Sequence, residues 1–289
     1  MPQKRLIVRT QTALRTRTKD WACAGVTTAF IPTMGALHEG HLSLVRLAKK
    51  KADRIIVSIF VNPTQFAPGE DLDAYPRSET TDIAMLKAEG VDLIYIPKPG
   101  AMYNAHHATS VKVGGVADGL ETDHRPTFFD GVALVVTKLF NRVQPDVAIF
   151  GEKDYQQLAT IRRLVEDLDM PIKIIGAPIA RDKYGLALSS RNKYFDDSEL
   201  TTVRKLNVIM RSCAKAISKG GDINAEIEIC KQTLLDVGFN SVDYVSIANA
   251  NTLELNNDMA DTAPKRLLIA AHYKGVRLID NCAVRTPNT

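Results

Sequence analysis

The chain has 289 residues, which is enough for one large domain or for two smaller domains with separate cores. Apolar residues make up 45% and charged residues 24%, an ordinary globular composition with enough Ile, Val and Leu to bury a core, which argues against a disordered protein. The net charge of +4 is small beside 37 basic and 33 acidic residues, and no basic cluster stands out. We therefore expect no nucleic-acid partner.

The four cysteines are widely scattered and form no Cys-x-x-Cys pair, so neither a disulfide framework nor a zinc ribbon is expected. The N-terminus lacks the apolar run of a secretory signal, and no run of about 18 apolar residues could span a membrane. These features predict a cytoplasmic protein without a membrane partner.

The first part of the chain alternates short apolar runs with segments that have helical periodicity, a pattern typical of a parallel sheet wrapped by helices. The predicted strands are 26–31, 54–61, 91–96, 147–150 and 172–176. The predicted helices are 42–51, 81–89, 131–142 and 155–167. We predict a doubly wound, Rossmann-like α/β domain over residues 1–180.

The pattern changes after about residue 180, and a smaller α+β domain is predicted over residues 181–289. Its predicted helices are 197–219 and 225–237, and its predicted strands are 242–247, 266–271 and 276–280. The intervening segment RDKYGLALSSRN holds little that would be buried, which indicates a hinge or a mobile loop.

The segment PTMGALHEGH lies where a predicted strand ends and a helix begins, the place where ligands bind in an open parallel sheet. Gly35 permits an unusual backbone turn, and His38 and His41 fall at a helix N-terminus, which suits phosphate. Two alternatives stay open: the histidines cap the helix, or they bind a metal. Zinc is disfavoured because the metalloprotease helix needs its histidines four residues apart and a third ligand.

Amide side chains follow the next strand, in SIFVNPTQF. Asn62 and Gln65 can each donate and accept hydrogen bonds, which suits a substrate with hydroxyl groups beside a carboxylate. For Asn62, loop stabilisation is an alternative, because Asn-Pro commonly begins a turn.

Two later segments also carry polar groups suited to a nucleotide. In FGEKDYQQL, Lys153 can reach a phosphate or carboxylate and Asp154 can accept from a ribose hydroxyl, although the two residues can equally form a surface pair. In GLALSSRN, two hydroxyls and the Arg191 guanidinium suit a polyphosphate, although an ordinary polar loop is the alternative.

Together these segments, with DLDAYPR at 71–77 and RLIDN at 277–281, resemble the pantothenate synthetases, a family of the nucleotidyltransferase superfamily with the His-x-Gly-His motif. The order and spacing of the motifs also fit. The resemblance implies ATP-dependent ligation of pantoate and β-alanine through pantoyl adenylate, with ATP and Mg²⁺ required and a homodimer formed through the N-terminal domain.

The resemblance also implies a role for individual residues. Catalytic roles are implied for His38, His41, Lys153 and Arg191. The ATP-binding residues would be Met34, His38, His41, Gly151, Lys153, Asp154, Leu188, Ser189, Ser190 and Arg191. The pantoate-binding residues would be Asn62, Gln65, Val135, Val136 and Gln157. Asp82 matches a family carboxylate near the metal, but the preceding position, often acidic in the family, is Thr81 here.

The chain departs from the family in RPTFFDGV, where members commonly read RPGHF. Thr127 and Phe128 replace the usual Gly and His, while Arg125 and Gly131 are retained, so we expect the loop to persist without any role of that histidine. Two rival functions stay open. One is a nucleotidyltransferase that releases a nucleotide-linked product, and the other is a nucleotide-binding regulatory protein without catalysis.

Overall fold

The structure, a computed structural model, describes residues 6–67, 69–258 and 261–285, and it separates into two compact units. Unit one comprises the described residues through Val113, with Arg125–Glu152 and Thr160–Pro178. Unit two comprises Gly114–His124, Lys153–Ala159 and the described residues from Ile179. Two short segments from the first 180 residues thus group with the C-terminal part. The division into a nucleotide- and pantoate-binding domain and a lid stays a prediction.

Unit one contains a six-stranded sheet in which all neighbouring strands are parallel. Its strands are β1 (Ile7–Val8), β2 (Thr28–Thr33), β3 (Arg54–Ile59), β4 (Leu93–Tyr95), β5 (Val147–Gly151) and β6 (Lys173–Ala177). The order β1-β4-β3-β2-β5-β6 confirms the predicted doubly wound sheet. The strand order reverses between β2 and β5, so ligands are expected beyond the carboxyl ends of these two strands.

The α-helices of the described residues follow the predicted positions closely, with two additions of one turn each and one longer addition near the N-terminus. In chain order they are α1 (Gln11–Cys23), α2 (Glu39–Ala48), α3 (Glu79–Ala88), α4 (Pro99–Met102), α5 (Glu121–His124), α6 (Phe128–Val143), α7 (Tyr155–Asp167), α8 (Asp197–Val203), α9 (Lys205–Ser218) and α10 (Ile223–Asp236). None of them is long and apolar enough to cross a lipid bilayer.

The sequence pattern missed β1 and α1. Strand β1 has only two residues and pairs with β4 at the edge of the sheet, so it is too short to show a period. Helix α1 buries only Leu14 and Thr18 and consists mostly of polar residues, so it has no continuous apolar stripe to detect. The Thr10 side chain caps its N-terminus by accepting a hydrogen bond from Ala13 N, at 3.2 Å.

The central strands are buried on both faces, which explains their almost continuous apolar sequences. One core of unit one contains Ala29 and Ile31 from β2, Val57 from β3 and Ile94 from β4, all of them completely buried. This packing fixes the ends of β2 and β3, from which the polar candidate residues follow.

Unit two has a three-stranded antiparallel sheet, which confirms the predicted α+β character of the C-terminal part. The strands are β7 (Ser241–Asn249), β8 (Lys265–Tyr273) and β9 (Val276–Val284), in that order. Helices α9 and α10 supply much of the core against them. The single helix predicted over 197–219 is instead two helices, α8 and α9, although the backbone at Arg204 keeps helical dihedral angles.

The segment 181–192 differs from its prediction as a hinge or loop with little to bury. Arg181 bridges Ala187 in antiparallel fashion, and Leu186 and Ala187 are each only 4% exposed. Asp182 accepts hydrogen bonds from the N–H groups of Tyr184 and Leu186, both at 2.9 Å. Burial opposes ionisation of Asp182, but the hydrogen bonds from Arg204 and these N–H groups lower its pKa, so the carboxylate stays charged at neutral pH.

A buried ion pair joins α5 to the C-terminal sheet within unit two. Arg277 on β9 contacts both oxygens of Glu121 at 2.7 Å and also donates to Asp243, at 2.7 Å. Burial disfavours the charged forms of Arg277 and Asp243. The contacts with opposite charges nevertheless raise the pKa of Arg277 and lower the pKa of Asp243. The Arg277 side chain is 17% exposed and that of Glu121 is 7% exposed, so solvent screens the pair weakly.

We expect Arg277→Met to destabilise unit two by about 3 kcal/mol, because it leaves two carboxylates buried without their cation. The shift in the urea unfolding midpoint of the intact chain measures this loss. Lys231→Ala breaks only an exposed pair with Glu228 and should cost less than about 1 kcal/mol. Equal stability of the two variants would contradict the importance of the buried pair.

Candidate active site

The turn after β2 has an unusual backbone conformation that is stabilised by a buried carboxylate. Gly35 and Ala36 have φ angles of +85° and +51°, respectively. The N–H groups of Ala36 and Leu37 donate to the two oxygens of Asp82 on α3, each at 2.9 Å. A Cβ at position 35 would come within 3.0 Å of Asp82 Oδ2, so this turn needs glycine both for its φ and for its space.

His38 and His41 lie at the N-terminus of α2, next to the point where the strand order reverses. His38 Nδ1 accepts from Gly40 N at 3.1 Å, and His41 Nδ1 accepts from His38 N at 3.4 Å. A nitrogen that accepts carries no proton, so the ring protons are assigned to Nε2. The rings lie 4.2 Å apart, centroid to centroid. The capping alternative is therefore realised, with both rings oriented by main-chain N–H groups at the start of α2.

The amide of Asn62 is fully used within unit one. Its Nδ2 donates to Gln65 Oε1 and to Gly131 O, both at 3.1 Å. Its Oδ1 accepts from Thr64 Oγ1 at 3.0 Å and from Tyr103 OH at 2.8 Å. Asn62 is also only 1% exposed. These contacts favour the stabilising role weighed above over the predicted direct contact with pantoate, since no donor or acceptor of the amide stays available.

Gln65 is oriented by this network. Because its Oε1 accepts from Asn62, its Nε2 points the other way and lies 3.1 Å from Met34 Sδ. A thioether is a weak acceptor, so the Nε2–H groups can exchange this contact for a stronger acceptor on a ligand. The structure thus brings Gln65 next to Met34, two residues predicted to bind different substrates.

Helix α6 packs its N-terminal turn directly on the segment that carries Gln65. A Cβ at Gly131 would lie 2.3 Å from Thr64 O, a distance that no side chain allows, so the close approach requires glycine. Val135 and Val136 follow on the same helix and are 6% and 4% exposed. This burial is compatible with their predicted role in binding pantoate.

The departure at position 128 leaves the loop before α6 intact. The Arg125 guanidinium lies 3.8 Å from the centre of the Phe128 ring and donates to both oxygens of Glu70, at 2.7 and 2.8 Å. Arg125 also donates to Gln65 O, at 3.2 Å. Phe128 therefore supports an arginine that fixes the backbone of Gln65, a structural task that needs no proton transfer.

We expect Phe128→His to change kcat/KM by less than about tenfold, because a positioned acid or base would change it by about 10²–10⁴. Steady-state rates of the two proteins measure this. Restoration of activity by orders of magnitude in the histidine variant would show that the residue common in the family is an obligatory catalyst.

The turn after β5 places the next set of candidates. Gly151 ends β5, and a Cβ there would meet no atom within 4 Å, so packing does not demand glycine. In the following residues, Lys153 Nζ lies 3.7 Å from Asp154 Oδ2, with the lysine side chain 21% exposed. The surface-pair alternative is thus present, but a 3.7 Å contact with a 45% exposed carboxylate is weak and easily exchanged.

Two adjacent glutamines at the start of α7 have opposite environments. The Gln156 amide accepts from Glu121 N and donates to carbonyl oxygens of the segment Val116–Gly119. Gln157 is half-buried, and its amide has no hydrogen-bond partner within the described parts of the chain. Gln156 therefore holds the backbone, whereas Gln157 keeps its amide available for a ligand.

The predicted phosphate loop ends in a short 3₁₀ helix, Ser190–Tyr194. Ser189 caps it by accepting from Arg191 N, at 3.3 Å, and Leu188 N donates to Ala180 O, at 2.9 Å. Ser190 is 7% exposed, while Ser189 and Arg191 are half-buried. Unit two thus gathers Leu188–Arg191 in one ordered turn.

The structure contains no preformed metal site in the described residues, where no three His, Cys, Asp or Glu side chains are grouped to hold an ion. The zinc alternative for His38 and His41 gains no support. Asp82, the predicted metal contact, is 1% exposed and uses both oxygens for main-chain N–H groups. Its metal role stays a prediction.

Several residues that shape the site were not predicted from the sequence. They are Thr64, Tyr103, Gln156, Arg266 and Asn281. Three carried a usable signal, because Thr64 lies in the SIFVNPTQF segment, Gln156 adjoins Gln157 and Asn281 ends the RLIDN motif. Tyr103 and Arg266 act through contacts with residues that are distant in sequence.

Comparison with known proteins identifies relatives along nearly the whole chain. The family model described as Pantoate-beta-alanine ligase matches residues 6–283. A pantothenate synthetase of Mesorhizobium japonicum is 50% identical over 279 residues, which cover 96% of this chain and 97% of the relative. That of Maricaulis maris is 50% identical over 278 residues and covers 96% of both chains.

Comparison with solved structures identifies proteins of the same kind as the sequence comparison. The pantothenate synthetase of Thermus thermophilus superposes with a TM-score of 0.88 at 38% identity, covering 97% of this chain and 99% of that one. The pantoate-beta-alanine ligase of Francisella tularensis, solved in complex with beta-gamma ATP and beta-alanine, superposes with a TM-score of 0.82 at 33% identity, covering 96% and 97%. The match of fold, motifs and full-length similarity shows that the chain belongs to the pantoate-beta-alanine ligase family.

Proposed function

We propose that this chain uses ATP to ligate pantoate and β-alanine, through a pantoyl adenylate and with release of AMP and pyrophosphate. The observation that carries the proposal is the pair His38 and His41, whose Nδ1 atoms accept from main-chain N–H groups, so that both rings are oriented at the start of α2. They lie at a helix N-terminus beside the switch point of the sheet, where the helix dipole also favours phosphate.

The ATP phosphates would be bound by side chains that each offer a hydrogen-bond donor or a positive charge. They are His38, His41, Lys153, Ser189, Ser190 and Arg191. Charge on the phosphates shifts toward the leaving group during the reaction, so fixed donors stabilise the transition state more than the ground state. Contacts to the rest of the nucleotide are assigned to Met34, Gly151, Asp154 and Leu188.

Pantoate would be bound by Gln65 and Gln157, the two amides whose surroundings leave donors for a ligand. Asn62 is assigned a positioning role, because its amide is saturated and fixes the Gln65 amide. Val135 and Val136 would form the apolar wall for the dimethyl group of pantoate.

In the first step, a carboxylate oxygen of pantoate attacks the α-phosphorus of ATP. A bond forms between that oxygen and phosphorus, the bond to the bridging oxygen breaks, and pyrophosphate leaves with the electron pair. The carboxylate is already ionised at neutral pH, so the step requires neither a protein nucleophile nor a general base. The protein contributes alignment and neutralisation of charge.

In the second step, the free amine of β-alanine attacks the acyl carbon of the adenylate. The carbon–nitrogen bond forms, the carbon–oxygen bond to AMP breaks, and one proton is released. A transient acyl adenylate must be kept from water between the steps, which favours a site that closes over its substrates.

Mg²⁺ is part of the proposal because the family resemblance implies it, and when bound it would neutralise phosphate oxygens. The residues present fit an ion carried by the nucleotide rather than one held in a protein cage, since magnesium commonly keeps several waters. We assign Asp82 to positioning of the histidine turn, because its two oxygens hold Ala36 N and Leu37 N.

A homodimer and a cytoplasmic location complete the proposal. The dimer rests on the family resemblance alone, and light scattering of the purified protein measures its mass. The location is supported by the four cysteines, all of which are free thiols.

Incubation with ATP, Mg²⁺, pantoate and β-alanine, followed by identification of the products, tests the proposed function. We expect pantothenate, AMP and pyrophosphate in equal amounts. A product in which the nucleotide stays linked to the small molecule would favour the nucleotidyltransferase alternative. Absence of turnover with a folded protein would favour the regulatory alternative.

A further inference from the structure

Two adjacent polar residues in the middle of strand β9 are buried in unit two. Asp280 is 3% exposed and Asn281 is 2% exposed. Their side chains contact two segments that carry candidate phosphate-binding residues, the turn at Lys153 and the segment 181–192. Neither residue is assigned a substrate contact in the proposed reaction, so another role must account for their burial and their contacts.

Asn281 holds the main chain of Lys153. Its Nδ2 donates to Lys153 O at 2.9 Å, while its Oδ1 accepts from the Arg266 guanidinium. The two contacts define which end of the amide faces Lys153, because a carbonyl accepts and a guanidinium donates. The backbone around the candidate lysine is therefore fixed by an oriented side chain.

Arg266 has a second contact that strengthens this arrangement. Its guanidinium lies 3.8 Å from the centre of the Tyr155 ring, and Tyr155 OH donates to Ala250 O at 2.8 Å. The turn from Lys153 to Tyr155 is thus fixed at both ends to the C-terminal sheet of unit two.

Asp280 holds the base of the segment 181–192. Its two oxygens accept from the two terminal nitrogens of Arg181, at 2.6 and 2.8 Å, and Asn207 Nδ2 donates to one of them at 3.1 Å. Arg181 also donates to Gly185 O, at 2.9 Å, which ties the two sides of the loop together. A bidentate pair of this kind restricts both distance and orientation.

Resting on the proposed function, we propose that Asp280 and Asn281 are positioning residues that hold Lys153 and the Ser189–Arg191 turn in a fixed relation on one strand. A displacement of 1 Å at a charged group can cost a large part of its catalytic effect. The pair would therefore affect the rate of adenylation without touching a substrate.

A double-mutant cycle tests the role of Asn281. We expect Asn281→Ala to lower kcat for adenylation, followed as AMP formation, by about tenfold, the value of one well-oriented hydrogen bond. The KM for pantoate should stay within about twofold. In a Lys153→Ala background the same change should lower the rate by less than about twofold, because effects that act through one residue are not additive.

Asn240→Ala is the matched control, since this asparagine also binds a main-chain group in unit two, Lys274 N at 2.6 Å, but that group belongs to none of the candidate residues. It should leave kcat within about twofold. Arg266→Met removes the group that orients Asn281 and should lower kcat in the same direction, with its effect also lost in the Lys153→Ala background. Denaturation midpoints identify a variant that fails to fold, in which case the Arg266 cycle decides.

The same design applies to Asp280, with Asp280→Asn combined with Arg191→Ala. A loss that disappears in the Arg191→Ala background supports the proposal, and equal losses in both backgrounds overturn it. The proposal would likewise be overturned if Asn281→Ala lowered kcat by the same factor in the wild-type protein and in the Lys153→Ala background. If Lys153→Ala alone has a near-normal rate, the proposed function of Lys153 fails first, so the two failures are distinguishable.

Discussion

Lys153→Ala and His41→Ala should each lower kcat/KM by about 10²–10³ while the protein stays folded. Loss of one preorganised electrostatic contact to a transferring phosphoryl group has this magnitude, because the contact acts where water is excluded. Within the described residues, the ion pair of Lys153 is a 3.7 Å contact with Asp154, which a phosphate can replace. His41 contributes through its Nε2–H, since its Nδ1 accepts from His38 N.

Matched controls separate this effect from general damage. Lys50 and His106 are exposed residues away from the strand ends that carry the candidates, and their alanine variants should keep kcat/KM within about twofold. A folded Lys153→Ala protein with a near-normal rate would remove Lys153 from the site. The same outcome for His41 would reduce that histidine to a helix cap.

Asp82→Ala should lower kcat/KM by about 10², because it removes the acceptor of two buried N–H groups in the turn that leads to His38. Ala36 holds a positive φ in that turn, so the backbone has reason to relax once the carboxylate is lost. Asp82→Asn should not rescue the rate, because its NH₂ group would face a main-chain N–H.

The dependence of the reaction rate on Mg²⁺ concentration distinguishes a positioning role of Asp82 from metal binding by its carboxylate. If Asp82 positions the turn, the Mg²⁺ concentration that gives half the maximal rate should change by less than about twofold in both variants. A rise of tenfold or more, with kcat recovered at high Mg²⁺, would show that Asp82 is a metal ligand. Glu79→Gln on the same helix breaks only an exposed pair with Arg9 and should change neither quantity.

Much of the fold could be predicted because burial leaves a periodic record in the sequence. Strands β2 to β6 are apolar and lie within a few residues of their predicted positions, and α7 begins and ends where its periodicity predicted. The polar residues after β2, β3 and β5 then follow from the rule that ligands bind at the carboxyl ends of parallel strands.

The finer assignments depended on contacts that sequence does not record. Asp82 meets Ala36 and Leu37 across 46 and 45 residues, and nothing local marks that carboxylate as a main-chain acceptor. From the sequence alone, Asn62 and Gln65 were equally suited to bind a substrate. The contacts of Asn62 with Tyr103 and Gly131 show that its amide is saturated.

The prediction for the segment 181–192 was wrong about burial for a related reason. Its composition is polar, but Leu186 and Ala187 enter the core of unit two, and Asp182 supplies the hydrogen bonds that a regular element would otherwise provide. Two buried apolar side chains in twelve residues are too few to give a periodic signal.

In the proposed mechanism, pantoate is adenylated before β-alanine takes part. The measurement that tests this most directly is exchange of labelled pyrophosphate into ATP by the intact enzyme with Mg²⁺, ATP and pantoate, with β-alanine omitted. Formation of the adenylate is reversible while pyrophosphate is present, so we expect exchange that depends on pantoate, and we expect AMP and pantothenate once β-alanine is added. Exchange that required β-alanine, or that proceeded equally well without pantoate, would contradict the two-step mechanism.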